Sequence, residues 1–309
     1  MVRLVRLVLA LVVSSLVVDG ALYLAPGSAL SALTGGRALP ADQIAQINAH
    51  YHLTDPFPVA YWRWLLEIVH GDFGQSLILR ESVANLVSAR LGTTALLVAY
   101  AGILIAIGGL SLGVLGAVRG GWVDALIVSG TGAIAAVPTF VAAVVLVTIF
   151  AVNLSWFPVF GSGSEFRDQL WHLTLPAIAL ALAAVGFCAR VSRTAVLGER
   201  GREHVDTARS RGRSEGSILI RHILRNALVP ITTAYGITIA SLIAGSVVVE
   251  NAFSLNGIGT LLIKAVQDHD LAVVQAVSLI LVAAFVLVNT AVDLVYPILD
   301  PRIQLLRNE

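Results

Sequence analysis

Residues 91–118 read LGTTALLVAYAGILIAIGGLSLGVLGAV, twenty-eight residues without a charge. About twenty apolar residues in a helix cross the hydrocarbon core of a bilayer, so this run is long enough to span a membrane. Four more uncharged runs follow: 125–164, 173–189, 226–249 and 271–292. A shorter apolar stretch begins at Leu7 and meets Asp19 after twelve residues. Membrane barrels show short alternating strands instead, so only helices suit these runs. The expected fold is therefore an all-α integral membrane protein of about six transmembrane helices, at roughly 7–25, 93–118, 125–152, 172–196, 228–250 and 271–296. The whole chain, 1–309, reads as one membrane-spanning domain.

Composition agrees. Of 309 residues 57% are hydrophobic and 13% charged, about half the charge of an ordinary soluble protein. Arg3 and Arg6 ahead of the first apolar stretch also fit a signal peptide; a retained helix keeps the span count even. A carboxylate in mid-bilayer is costly, so Asp19 is expected near the outer interface or paired with a neighbouring helix.

Six spans put both termini on one side. Fourteen basic residues fall on that side and six on the other, which assigns the first side to the cytoplasm. Two segments outside the spans stand out. One is the long external loop 26–90. In it Asp42 can cap a short helix carrying Ile44, Ile47 and Tyr51, and Pro56 and Pro58 open a second helix from Phe57 to His70 with Tyr61, Trp62 and Trp64. That second helix reads first as an interfacial element with its aromatics at headgroup level, which is compatible with its also forming part of a platform for an external partner. The other segment, 197–227, holds seven of the fourteen inner arginines. Its pattern gives helices at Glu203–Arg211 and Ser217–Asn226 with Gly212 and Gly216 between them, and Pro230 in the first turn of the fifth span.

Several chemistries are excluded. The only lysine, Lys264, follows Ile263, so no Walker-type phosphate loop exists. Cys188 is alone, which rules out an internal disulfide or a cysteine-based metal site. His50 and His52 lack a third ligand, and a net charge of +1 gives no electrostatic case for nucleic acid. The spans also lack the mid-membrane acids of ion-coupled carriers. Their polar residues are mild. Thr232, Tyr235, Thr238 and Ser241 form a drifting stripe on the fifth span, and Asn289 and Asp293 share a face of the sixth. Such groups serve either as a weakly polar wall for a solute or as glue between helices.

The stretch HVDTARSRG, residues 204–212, resembles the signature loop of ABC importer permeases. There a Glu-Ala-Ala triplet precedes a glycine by three residues; here Asp206-Thr207-Ala208 precedes Gly212. Residues 54–64 (TDPFPVAYWRW), 71–76 (GDFGQS), 249–259 (VENAFSLNGIG) and 300–302 (DPR) are similar to the peptide and nickel branch of the same family, the dipeptide, oligopeptide and nickel permeases. One departure is Ala25-Pro26-Gly27-Ser28, where that branch has Gly-Asp-Pro.

The resemblance implies the type I importer permease fold in a bacterial inner membrane. It implies a second homologous permease, two ATP-binding subunits and an external substrate-binding protein as partners. ATP and Mg²⁺ would be bound by the ATPases, with no cofactor on this chain. Glu203, Asp206, Thr207, Ala208, Arg209, Gly212 and Arg213 would form the ATPase-docking loop. Thr232, Tyr235, Thr238, Ser241, Asn289 and Asp293 would line a path shared with the second permease, and Tyr61, Trp62, Trp64 and Asp72 would meet the binding protein. Peptides are the expected substrate; nickel, haem and other small solutes are the alternatives within the family, and a secondary transporter or channel outside it.

Overall fold

Long uncharged runs become long helices because a backbone in hydrocarbon must satisfy its own hydrogen bonds. The computed structural model describes residues 2–24, 40, 55–76 and 78–299. Ala25–Ser28, Asp42, the helix expected around Ile44, Ile47 and Tyr51, and the side chain of Asp293 lie outside the described residues. Described are α1 (Val2–Leu24), α2 (Phe57–Val69), α3 (Val83–Arg119), α4 (Gly121–Ala135) and α5 (Thr139–Leu146), which runs into π-helical turns at Val147–Asn153. There follow α6 (Phe166–Arg200), α7 (Glu203–Ser210), α8 (Glu215–Ile218), further π-helical turns at Leu219–Leu224, α9 (Arg225–Ala252), α10 (Ile258–Gln267) and α11 (Leu271–Leu299).

Four helices are long and apolar enough to cross a membrane: α3, α6, the continuous Glu215–Ala252 and the described part of α11. The bent pair of α4 with α5 and its π turns makes a fifth if counted as one span. The described apolar stretch of α1, Val8–Ala21, is shorter.

Three expectations change. The span expected at 125–152 is not one helix: α4 and the segment beginning with α5 meet at 97°. Pro138 causes the break. It has no N–H to donate and disfavours the helical conformation at Val137, and it stands at the start of α5 with ψ of 141°. The second loop helix, expected at 217–226 as a separate element, instead continues from α8 through the π turns into α9. Pro230 accordingly lies inside α9 rather than in its first turn. Finally, α3 starts at Val83, so the last residues of the 26–90 segment already belong to a helix.

Packing divides the chain into two units, residues 1–95 with 254–286, and residues 96–253 with 287–309. In the first, Val83, Leu86 and Val87 of α3 pack with Ile258 and Leu261 of α10 and with Val273, Val274 and Val277 of α11, and Phe73 closes the cluster. Polar ties sit at its edges. The Ser76 hydroxyl donates to the buried Asp270 carboxylate, and the Ile258 N–H donates to Thr94 Oγ1 at 2.9 Å. Asp19 is buried and accepts from the Gln275 side chain, one of the two placements its sequence context allows.

In the second unit α6 is the central post, with α4, α5 and α9 packed on it. The approach of α3 to α6 depends on small residues, as helix contacts in membranes commonly do. A Cβ on Gly113 would stand 2.5 Å from Ser192 Cβ and 2.6 Å from the Ala189 carbonyl oxygen, so any side chain there would force the helices apart. Between α4 and α6, Arg193 grips the Asp124 carboxylate through Nε and Nη2, a two-pronged pairing that fixes geometry as well as charge.

Candidate functional site

The Arg-rich loop after α6 is built around α7. Acidic Glu203 and Asp206 lie in its first turn and Arg209 in its last, the order that the helix dipole favours. Its end is closed by a Schellman motif. Gly212 adopts φ of +73°, its N–H donates to the Arg209 carbonyl at 3.0 Å, and the Arg213 N–H donates to the Ala208 carbonyl at 3.3 Å. Glycine reaches that left-handed conformation at low cost. The space around Gly212 is open, so backbone conformation, not crowding, demands the residue.

The two faces of α7 differ. Val205 and Ala208, three residues apart, are buried and turned toward the 215–224 segment that α7 packs against. Glu203, Asp206, Thr207 and Ser210, at helical offsets of three, four and seven, form the opposite, exposed face. The Thr207 hydroxyl is satisfied by the Glu203 carbonyl at 2.9 Å, and that of Ser210 by the Thr207 carbonyl at 2.9 Å.

Ion pairs hold the loop's outline. Arg209 bridges back to Asp206 at 3.1 Å and forward to Glu215, with Nε at 2.7 Å and Nη2 at 3.3 Å from the carboxylate oxygens. These bonds, the one to Glu215 foremost, push the Arg209 guanidinium above its usual range. The loop is thereby closed across Gly212. At the other end, Glu199 lies 3.2 Å from Arg202 and 3.8 Å from His204. Arg200 donates to the Ala117 carbonyl near the end of α3.

Six of the seven expected loop residues are therefore exposed in one short stretch: Glu203, Asp206, Thr207, Arg209, Gly212 and Arg213. Ala208 is the exception, because a helix starting at Glu203 puts it on the face of Val205. Sequence reasoning passed over Glu215 and Val205. Opposite charges bracketing Gly212 were the available signal for the first, and the lone apolar pair within 203–210 for the second.

The polar stripe of α9 is divided by the fold. Tyr235 and Thr238 are buried, with the Tyr235 hydroxyl 3.2 Å from Ser192 Oγ and the Cys188 thiol donating to Thr238 Oγ1 at 3.7 Å. Both partners belong to α6. Thr232 is half-buried and bonds the Leu228 carbonyl at 2.8 Å. Ser241 alone of the four is exposed, beside Ile237, Ala244 and Val248 at helical spacing. Asn289 is half-buried in α11.

The aromatic set of α2 is divided in the same way. Tyr61 stacks near Phe57 and Trp64, each at 6.0 Å between ring centroids, and its hydroxyl meets Ser15 Oγ of α1 at 2.9 Å. Trp64 is half-buried, whereas Trp62 is exposed on a stripe with Val59, Leu66 and Val69. Asp72 is exposed and accepts from the Gly74 N–H at 2.9 Å.

Residues 109–305 match the family model described as "Binding-protein-dependent transport system inner membrane component", a range that contains the whole loop. The chain is 35% identical over 287 residues to the probable peptide ABC transporter permease protein y4tP of Sinorhizobium fredii, covering 92% of this chain and 91% of that protein. It is 36% identical over 287 residues to the oligopeptide transport system permease protein AppB of Bacillus subtilis, covering 91% and 90%. With the glutathione transport system permease protein GsiC of Salmonella paratyphi A it shares 31% over 303 residues, covering 98% and 97%. Among solved structures, an inward-facing MetNI methionine ABC transporter chain superposes with a TM-score of 0.59 at 20% identity, over 69% of this chain and 96% of that one. The fold is the importer-permease fold that the loop motif implied. The chain belongs to the family of inner-membrane components of binding-protein-dependent ABC transport systems.

Proposed function

We propose that this permease carries peptides, and that the exposed face of α7 is where an ATPase subunit docks and drives it. One observation carries the reading: α7 is capped, ion-paired and locked to its own chain by Val205 and Ala208, yet offers a free polar face of Glu203, Asp206, Thr207 and Ser210. A helix held this rigidly can transmit a push. Its inner face rests on the segment that continues without a break into α9, so a displacement of α7 becomes a movement of that span. The ATPases would hold ATP and Mg²⁺, since this sequence has no phosphate loop of its own.

Peptide as substrate is supported by the names of these relatives, which are peptide, oligopeptide and glutathione permeases. One copy of this chain makes too small a bundle to enclose a peptide, so a second, homologous permease would complete the path, with two ATPases beneath and a binding protein outside. The exposed strip of Ile237, Ser241, Ala244 and Val248 is the better candidate wall, because Tyr235 and Thr238 are engaged with α6. The concentration of arginines in and around the α7 loop supports a cytoplasmic α7. In that orientation Trp62 and Asp72 face the binding protein's side.

The test is peptide uptake by cells carrying the complete transporter with Asp206→Lys. Reversing one charge on the free face should abolish uptake and peptide-stimulated ATP hydrolysis while membrane insertion stays normal. Undiminished uptake would refute docking at this face.

A further inference from the structure

Of the three arginines in the C-terminal turns of α6, Arg190, Arg193 and Arg200, the first stands apart. Arg193 pairs with Asp124, Arg200 with the Ala117 carbonyl, Arg202 with Glu199, and Arg209 with Asp206 and Glu215. Arg190 has no hydrogen bond or ion pair among the described residues, and it is exposed. It is also the first charge after the uncharged run 173–189, about 4.5 Å deeper along α6 than Arg193 at 1.5 Å per residue. A cation at the edge of hydrocarbon calls for a counter-ion, and the nearest carboxylate on α4, Asp124, is already held by both prongs of Arg193.

Arg190 lies in an open groove of about 370 Å³ whose other walls are Phe187, Val191, Thr194, Ala195 and, from α9, Pro230. Phe187, Val191 and Ala195 recur every four residues, so they line one side of α6 as an apolar trough. The guanidinium extends beside Gly132 of α4, where a Cβ would be 3.7 Å from Nη1. An apolar trough leading to a single unneutralised cation at the membrane boundary matches one molecule in charge and shape: a phospholipid with an anionic headgroup.

We propose that this groove is a binding site for an anionic phospholipid, its phosphate on Arg190 and part of one acyl chain along Phe187, Val191 and Ala195. Basic pockets between membrane helices hold anionic headgroups by the same pairing. The bound lipid supplies the negative charge that the protein omits, and it fills the space between α6 and α9 beside Pro230. Binding at this site depends on neither the transported solute nor the ATPase face.

The experiment purifies the assembled transporter from nanodiscs containing phosphatidylglycerol and phosphatidylcholine, delipidates it gradually and counts retained lipid by native mass spectrometry. Wild type should keep one phosphatidylglycerol per copy of this chain after the bulk lipid is lost. Arg190→Gln should lower that retention about fivefold, and Arg190→Lys should restore most of it. Thr194→Trp, which fills the groove from an exposed position without altering charge, should displace the lipid as well. Equal retention in Arg190→Gln and wild type would overturn the proposal. So would crosslinking of a cysteine at Thr194 to the second permease in high yield, which would make the groove a protein contact. Because retention is read without transport, a failed peptide-uptake assay leaves this result standing.

Discussion

Two short helices outside the long spans, α2 and α7, are tied to their surroundings by opposite means. The outer one, α2, is fastened by aromatic stacking and a hydroxyl pair to α1, and it leaves an apolar stripe of Val59, Trp62, Leu66 and Val69 exposed. The other, α7, buries its only apolar pair and leaves carboxylates, hydroxyls and an ion-pair network exposed. An exposed apolar stripe is stable against lipid or an apolar partner, whereas a polar face with its own hydrogen bonds complete can meet water, or a protein groove that forms and releases. The same device, a short helix braced on a span, therefore serves two different kinds of neighbour.

The largest expected effect breaks the brace of α7. Ala208→Asp places a carboxylate where the helix is buried, at a cost of about 3–5 kcal/mol for an unpaired charge. The loop should lose its structure, read as rapid proteolysis between residues 197 and 227, and transport should stop for that reason and not because a docking contact is lost. Were the loop as protected as in wild type, the inward placement of Ala208 would be wrong. The matching change in α2 is Tyr61→Ala, which removes two ring contacts and the Ser15 bond, together about 2 kcal/mol. Its expected signature is a lower melting temperature of the purified transporter, with the α7 loop as protected as before. Smaller again is Gly212→Ala, at about 1 kcal/mol for a left-handed alanine. Gly212→Asn should cost less, because Asn tolerates that conformation. Equal losses would point to crowding around Gly212 instead of backbone conformation.

Much of this arrangement was legible in the sequence, and the parts that were not have physical reasons. The uncharged runs 91–118, 173–189, 226–249 and 271–292 fall in the four helices long and apolar enough to cross a membrane, because burial in lipid selects an apolar composition. The expected helices at 203–211 and 57–70 appear as Glu203–Ser210 and Phe57–Val69, since caps, prolines and apolar spacing are local signals. The fold of the 125–152 span was hidden because both of its halves are equally apolar; Pro138 alone marked the bend. Gly212 and Gly216 were both expected between two helices, but only Gly212 takes a positive φ, and the chain is helical again from Glu215. Spacing on α9 grouped Thr232, Tyr235, Thr238 and Ser241 as one stripe, but the fold divides them, burying Tyr235 and Thr238 and exposing Ser241. That the neighbours of Tyr235 and Thr238 are Ser192 and Cys188 on α6 is a tertiary fact, set by how closely the helices approach.

The most direct test of the central claim is photo-crosslinking from position 207 of α7 in the assembled transporter, with position 220 as the comparison. Thr207 lies on the free polar face, and Ile220 is exposed on the adjoining π-helical segment. A photoreactive residue at 207 should yield an adduct with an ATPase subunit whose abundance changes when ATP is added, and one at 220 should yield far less. ATPase adducts from 220 and none from 207, in any nucleotide state, would contradict the account.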